Sequence, residues 1–74
     1  MKMKSIKDLV VGDIVCVSDP DGHARVTRKE KSRLFRAPGG CWALNLTITK
    51  GQNKGKSITD QHYPGEDQVE MPAA

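Results

Sequence analysis

The sequence predicts an all-β protein, built as a small barrel of five short and strongly bent strands. The first observation is the stretch Cys41–Thr49, where apolar side chains alternate strictly with small or polar ones, as in a half-buried strand. Shorter runs of strand-forming residues surround it, and turn residues separate them at close spacing. A chain of 74 residues allows one domain with one small core. Closure into a barrel would remove the exposed edges of such a sheet.

The N-terminal part is predicted to contain one turn of helix. Residues 1–4 are expected to form a flexible arm. Ser5-Ile6-Lys7-Asp8 resembles a capping box, with a serine at the N-cap and an acidic residue three positions later. Leu9 and Val11 are expected to anchor this turn in the core.

The first predicted strand covers residues 13–17. Its alternation turns the two valines inward and leaves Ile14 and Cys16 on the opposite face, where they would allow a homodimer. Asp19-Pro20-Asp21-Gly22 has the composition of a type I turn. It predicts a hairpin that leads into the second strand.

The second predicted strand, residues 23–31, carries a row of basic side chains that continues into the following loop. Strict alternation places on one face Arg25, Lys29, Lys31 and Arg33. On the other face the apolar pattern ends after Val26. The far half of this strand is therefore expected either to project beyond the core or to contain a β-bulge.

A loop is predicted between the second and third strands, over residues 32–40, with Pro38-Gly39-Gly40 as its strongest turn signal. Leu34 and Phe35 are expected to cap one end of the core. The third strand is the alternating stretch itself. Its inward row is Trp42, Leu44, Leu46 and Ile48.

The C-terminal third is predicted to hold two further strands. A polar turn at Gly51–Gly55 precedes a weak fourth strand, residues 56–62, and Tyr63-Pro64-Gly65-Glu66 reads as a tight turn. The fifth strand, residues 68–71, would turn its valine and methionine inward. Residues 72–74 are expected to be frayed.

The net charge of +3 is unevenly distributed along the chain. Residues 24–36 contain six Lys or Arg side chains against one Glu, a net charge of +5. Residues 57–74 contain four acidic side chains and no Lys or Arg. The sequence therefore predicts a basic face and an acidic end.

No spacing in the chain matches a catalytic or metal-binding motif. The two cysteines and two histidines lack the Cys-x-x-Cys and His-x₃-His pairs that zinc sites of this type use. A catalytic nucleophile needs a base and an orienting group in a cleft, for which a barrel of this size has little room. We therefore expect no enzyme, no cofactor, no metal and two reduced thiols.

The sequence predicts a soluble cytoplasmic protein that does not associate with a membrane. The start of the chain lacks the apolar run of a signal peptide. The longest apolar run, residues 9–17, is interrupted by Gly12 and Asp13 and is too short to span a bilayer.

Three short motifs resemble SH3-like small barrels of the KOW and Tudor kind. Leu9-x-Val11-Gly12-Asp13-x-Val15-x-Val17 and Gly22-x-Ala24-x-Val26 are similar to the opening hairpin of such barrels. Tyr63-Pro64-Gly65-Glu66-x-x-Val69 is similar to the turn before their closing strand. The resemblance implies one SH3-like domain over residues 1–74 that binds nucleic acid or peptides without catalysis. The compact build also resembles accessory proteins of phages and mobile elements.

The basic row favours a non-catalytic protein that binds RNA or DNA, because regularly spaced cations on a strand can follow a phosphate backbone. The candidate binding residues are Arg25, Arg28, Lys29, Lys31, Arg33, Phe35 and Arg36.

Two alternatives to nucleic-acid binding stay open. The row can be a solvated edge whose charges discourage aggregation. The same face can also bind an acidic protein partner, in an interaction module or an inhibitor. Phe35 and Tyr63 are either platforms for stacked bases or the ends of the small core.

Overall fold

The fold is almost entirely β, as the sequence predicts. A computed structural model describes residues 2–17 and 22–72, and within these ranges it forms six strands and one turn of 3-10 helix. The 3-10 turn is Ile6–Asp8. The strands are β1 (Lys2–Ser5), β2 (Ile14–Val17), β3 (Gly22–Ser32), β4 (Cys41–Lys50), β5 (Ser57–Pro64) and β6 (Gln68–Met71). No helix in this part of the chain is long and apolar enough to cross a membrane.

The strands form two antiparallel sheets. The large sheet has the order β2-β3-β4-β5, and the small sheet pairs β1 with β6. The sheets are open, so the expected closure into a barrel is wrong, and the expected count of five strands is not confirmed. A sixth strand is present because β1 supplies a partner for the edge of β6.

The N-terminal arm is part of the fold. Lys2 pairs with Met71 and Ser5 pairs with Gln68, which corrects the expectation that residues 2–4 are flexible. Met1 lies outside the described residues. The 3-10 turn begins at the expected place, but Ser5 makes no side-chain capping bond. The backbone N–H of Ile6 instead donates to the carbonyl of Asp67, at 2.8 Å.

The turn after Leu9 directs two valines into solvent. Leu9 is buried as expected, whereas Val10 and Val11 are 58% and 60% exposed, so the inward placement of Val11 is wrong. Gly12, with φ +101°, reverses the chain here and donates its N–H to the carbonyl of Val26. The alternation of apolar and polar residues predicts the wrong side for Val11, because this rule applies to extended strands and not to tight turns.

The core lies between the inner face of the large sheet, the small sheet and the 3-10 turn. Its buried members are Ile6, Leu9, Val15, Ala24, Val26, Leu44, Leu46 and Ile48. Partly buried side chains pack against them, namely Val17, Trp42, Ile58, Tyr63, Val69 and Met71. The inward rows predicted for β4 and β6 are therefore confirmed. Each fully buried Leu or Ile contributes roughly 1.5–3 kcal/mol to stability.

β3 contains a bulge at Thr27, one of the two alternatives that the sequence predicts. Val26 lies opposite Leu46 and Arg28 lies opposite Asn45, so Thr27 has no partner position on β4. Its hydroxyl donates to the carbonyl of Asn45, at 3.2 Å. The bulge changes which face the following residues occupy.

The hairpin of β2 and β3 pairs as predicted, from Ile14 opposite Arg25 to Val17 opposite Gly22. The type I turn predicted at Asp19–Gly22 lies outside the described residues, apart from its glycine. Two residues of the tail, Ala73 and Ala74, also lie outside them.

Candidate functional site

The bulge divides the basic row that strict alternation predicts. Side chains directly opposite each other on antiparallel strands share a face of the sheet. Arg25 and Arg28 are on the outer face, opposite Thr47 and Asn45. Beyond the bulge the odd positions turn to the inner side, so Lys29 lies opposite Leu44 and Lys31 opposite Trp42.

Lys29 is engaged by the protein itself. Its Nζ donates to the carbonyl of Lys7 at 2.5 Å and to the carbonyl of Leu9 at 2.7 Å. It also lies 4.5 Å from the centroid of the Trp42 ring. Partial burial lowers the pKa of Lys29 from its ordinary value. The two hydrogen bonds and the contact with the Trp42 ring hold the ammonium group in place. Lys29 therefore connects the 3-10 turn to the large sheet, and its ammonium group is occupied by contacts within the protein.

On the outer face of β3, one positive side chain is paired with a negative one. Arg28 Nη2 lies 2.6 Å from Glu30 Oε2, and more than half of each side chain is exposed. An exposed ion pair of this kind contributes little to stability. Glu30 nevertheless neutralises Arg28, so Arg25 is the stronger positive charge on this face.

The remaining sequence-predicted residues come together around a cleft. A cavity of about 550 Å³ opens between the end of β3 and the loop of residues 33–40, and we call it the loop cleft. Its walls are formed by Lys31, Ser32, Arg33, Phe35, Arg36, Ala37, Gly40 and Cys41. None of these wall residues is acidic. The wall therefore combines three basic residues with one aromatic residue.

The far end of the loop is fixed to the turn between β5 and β6. The N–H of Gly65 donates to the carbonyl of Gly40 at 2.7 Å, and the Nε1–H of Trp42 donates to the carbonyl of Gly39 at 3.0 Å. A Cβ on Gly65 would overlap the Gly39 carbonyl oxygen and lie 2.6 Å from its carbon. Only glycine therefore allows the two backbones to approach this closely.

The near end of the loop is fixed by a serine and a histidine that sequence reasoning did not select. Ser32 Oγ lies 2.7 Å from His62 Nδ1 and accepts the N–H of Leu34 at 3.1 Å. The Ser32 hydroxyl can accept from Leu34 and still donate its own proton to Nδ1 of His62. This arrangement suits the His62 tautomer that carries its proton on Nε2. The two residues are far apart in sequence, and only the pairing of β3, β4 and β5 brings them together.

Leu34 and Phe35 do not cap the core. They are 67% and 38% exposed, which corrects that expectation. Trp42 and Tyr63, which lie opposite each other on β4 and β5, pack against the core instead. Burial accordingly raises the pKa of the Tyr63 hydroxyl. Of the two aromatic candidates for stacking, Phe35 is thus the one placed beside cations.

Residues that could hold a metal are scattered. Within residues 2–17 and 22–72, no group of three or more His, Cys, Asp or Glu side chains is arranged to bind an ion. Both cysteines are free thiols. Cys41 is buried in the wall of the loop cleft and Cys16 is half-buried on β2.

Comparison of the chain with protein-family models, curated proteins and solved structures found no match. A fold class alone does not determine what a protein does, so the loop cleft is the feature of this protein that bears on its function.

Proposed function

We propose that the protein is a non-catalytic nucleic-acid-binding module that binds its ligand at the loop cleft. The supporting observation is the convergence of Lys31, Arg33 and Arg36 on one concave surface without an acidic residue in its wall. Cations in this arrangement neutralise phosphates and release condensed counterions, which supplies sequence-independent affinity. Phe35 in the same wall adds an aromatic surface on which a base can stack.

The outer face of the large sheet extends the proposed surface. Arg25 is exposed there, and its neighbours on β4 and β5, Thr47 and Ser57, are small and polar. Such a surface allows a phosphate backbone to approach without displacing bulky side chains. Arg28 would join the contact once an anionic ligand competes with Glu30 for its guanidinium group.

The proposal also includes the fold family and the compartment. The hairpin and closing-turn motifs support a relationship to SH3-like small barrels, here in an open form. Two free thiols fit a reducing compartment, and we place the protein in the cytoplasm.

The test compares two double variants that each remove two positive charges. Arg33→Ala with Arg36→Ala changes the loop cleft. Lys54→Ala with Lys56→Ala changes exposed positions at the turn between β4 and β5, and it is the matched control. Binding of a labelled oligonucleotide is measured by fluorescence anisotropy over a range of salt concentrations.

The cleft variant should bind the oligonucleotide at least about tenfold more weakly than the unaltered protein. The slope of log affinity against log salt concentration should become smaller by roughly one to two, because each lost phosphate contact removes about 0.7–0.9 from it. The control should change affinity by less than about threefold, since its charges lie outside the proposed contact. Equal losses in both variants, or no binding by the unaltered protein at low salt, would overturn the proposal.

A second candidate is a module that binds a protein. Leu34 and its neighbour Phe35 favour it, because both are exposed and adjacent apolar side chains in solvent can form part of an interface. Addition of a partner strand along β5 is less favoured. Asp60, with φ +58°, interrupts that edge strand with a charged residue in its middle.

The two candidates differ in what Leu34→Ser changes. In a protein-binding module this substitution weakens capture of a protein partner, and that capture survives nuclease treatment. In a nucleic-acid-binding module, Leu34→Ser does not weaken oligonucleotide binding, whereas Arg33→Ala with Arg36→Ala does. The 260/280 nm absorbance ratio of the purified protein gives a first indication, since co-purified nucleic acid raises it.

A further inference from the structure

Phe35 stays at the surface although the chain has few aromatic side chains to fill its core. The sequence contains one Phe, one Tyr and one Trp, and the other two pack against the core. Phe35 is 38% exposed and forms part of the wall of the loop cleft, between Arg33 and Arg36. An aromatic ring left in this position is available for contact with a ligand.

The shape of the loop cleft restricts which form of nucleic acid can reach Phe35. Its volume of about 550 Å³ is in the range of pockets that enclose small molecules. In a duplex the faces of the bases are covered by stacking, and the phosphates form the outer surface. A base can therefore enter this concave space and stack on the ring only when it is unpaired.

The loop cleft is formed before any ligand binds. Ser32 holds one end of the loop through the N–H of Leu34, and Gly65 holds the other end through the carbonyl of Gly40. A ligand thus meets a wall whose position is already fixed, which lowers the entropic cost of binding.

We infer that the loop cleft binds single-stranded nucleic acid in preference to duplex, with one unpaired base stacked on Phe35. The adjoining phosphates then contact Arg33, Arg36 and Lys31. This inference rests on the proposed function and adds the class of substrate. Stacking accepts every base, so binding should depend only weakly on sequence.

The test uses two substitutions at Phe35 that separate the aromatic ring from its bulk. Phe35→Leu keeps an apolar side chain and removes the ring, whereas Phe35→Tyr keeps the ring. Each variant and the unaltered protein are titrated with a labelled 12-nucleotide homopyrimidine strand and with the same strand annealed to its complement. Circular dichroism confirms that both variants fold.

The unaltered protein should bind the single strand at least about tenfold more tightly than the duplex. Phe35→Leu should weaken single-strand binding by about tenfold, the loss of one stacked base, and leave duplex binding unchanged. Phe35→Tyr should stay within about twofold of the unaltered protein. The salt slope should be the same in all three, because no phosphate contact is removed.

The outcomes separate this inference from the proposed function. If duplex binds as tightly as single strand, or if Phe35→Leu weakens both forms equally, the inference is overturned. In that case the proposed function still stands, provided that Arg33→Ala with Arg36→Ala weakens binding more than its matched control. If the unaltered protein binds neither form at low salt, both proposals are wrong.

Trp42 offers a second and independent measurement. It is the sole tryptophan of the chain, and its Nε1–H bonds to the carbonyl of Gly39 beside the loop cleft. Occupation of the cleft by a base should therefore change its emission. A saturable change with the single strand whose midpoint lies at about tenfold higher strand concentration in Phe35→Leu supports the inference. An unchanged midpoint in Phe35→Leu contradicts it.

Discussion

The ammonium group of Lys29 lies 4.5 Å from the centroid of the Trp42 ring and donates hydrogen bonds to the backbone carbonyls of Lys7 and Leu9. One side chain of β3 thereby joins the 3-10 turn to β4. The same contacts remove Lys29 from the proposed ligand surface, although it lies in the most basic part of the sequence.

Replacement of Lys29 by methionine should destabilise the protein by about 1–3 kcal/mol. The substitution keeps an apolar stem but leaves the carbonyls of Lys7 and Leu9 without their donor and removes the cation over Trp42. Urea unfolding followed by Trp42 fluorescence measures the loss. Lys31→Met, two residues along at an exposed position, is the control and should change stability by less than about 0.5 kcal/mol. Equal effects at both positions would contradict this role.

Asp13 should make stability depend on pH in the acidic range. Its carboxylate accepts from Lys4 Nζ at 2.9 Å and from the N–H of Val10 at 3.1 Å. The bond from Lys4, followed by the one from Val10, holds the pKa of Asp13 below its ordinary value. A carboxyl whose pKa is lower in the folded state stabilises the fold above its unfolded pKa, about 3.9, and loses this contribution as the pH falls through the folded pKa.

Asp13→Asn isolates the charge, since its amide oxygen can still accept from Val10. At neutral pH the variant should be less stable by up to about 1 kcal/mol, because the ion pair with Lys4 is partly exposed. Thermal unfolding of both proteins between about pH 2 and pH 7 checks the result. The difference between them should shrink as the pH falls below about 4, and a constant difference would contradict the assignment.

Gly65→Ala should be a strongly destabilising substitution. The added methyl group would overlap the carbonyl of Gly39, which is backbone and cannot rotate away. We expect a loss of roughly 3 kcal/mol or more, because the turn between β5 and β6 and the loop must separate. Gly55→Ala is a suitable comparison, since nothing lies within 4 Å of its Cβ and only its φ of +91° is unfavourable. Its expected cost is about 1 kcal/mol.

Ser32→Ala should weaken binding at the loop cleft without changing any charge. It removes the acceptor of the Leu34 N–H and the contact with His62, so the near end of the loop is released. We expect a loss of affinity of about two- to tenfold and faster hydrogen exchange at the Leu34 amide. A variant with faster exchange and unchanged affinity would show that the loop need not be preformed.

The sequence was sufficient to predict the strands whose pattern is uninterrupted. Trp42 to Ile48 alternates because one face of β4 is buried, and the inward rows of β4 and β6 followed directly from this rule. The bulge was also foreseeable, because Arg28 stands where the pattern requires an apolar residue. Arg33, Phe35 and Arg36, which the sequence predicts as binding residues, line the loop cleft, but the sequence does not indicate a concave space.

The remaining features depend on contacts between distant parts of the chain. Residues 2–4 carry no pattern of their own, and they form a strand because β6 offers free backbone groups. The inward placement of Lys29 and Lys31 follows from one unpaired residue, Thr27, which composition does not reveal. The contact of Ser32 with His62 requires the register of three strands, and that register is a property of the whole sheet.

Thr27 is the one residue between His23 and Ser32 of β3 that has no partner position on β4, and this affects how the chain can vary in evolution. A deletion at this position would leave Val26 and Arg28 opposite their present partners, so both faces of the sheet would keep their composition. An inserted residue between Lys29 and Ser32 would instead exchange the faces of the residues that follow it up to the loop. Relatives of this protein should therefore tolerate a gap at Thr27 and resist length changes closer to the loop cleft.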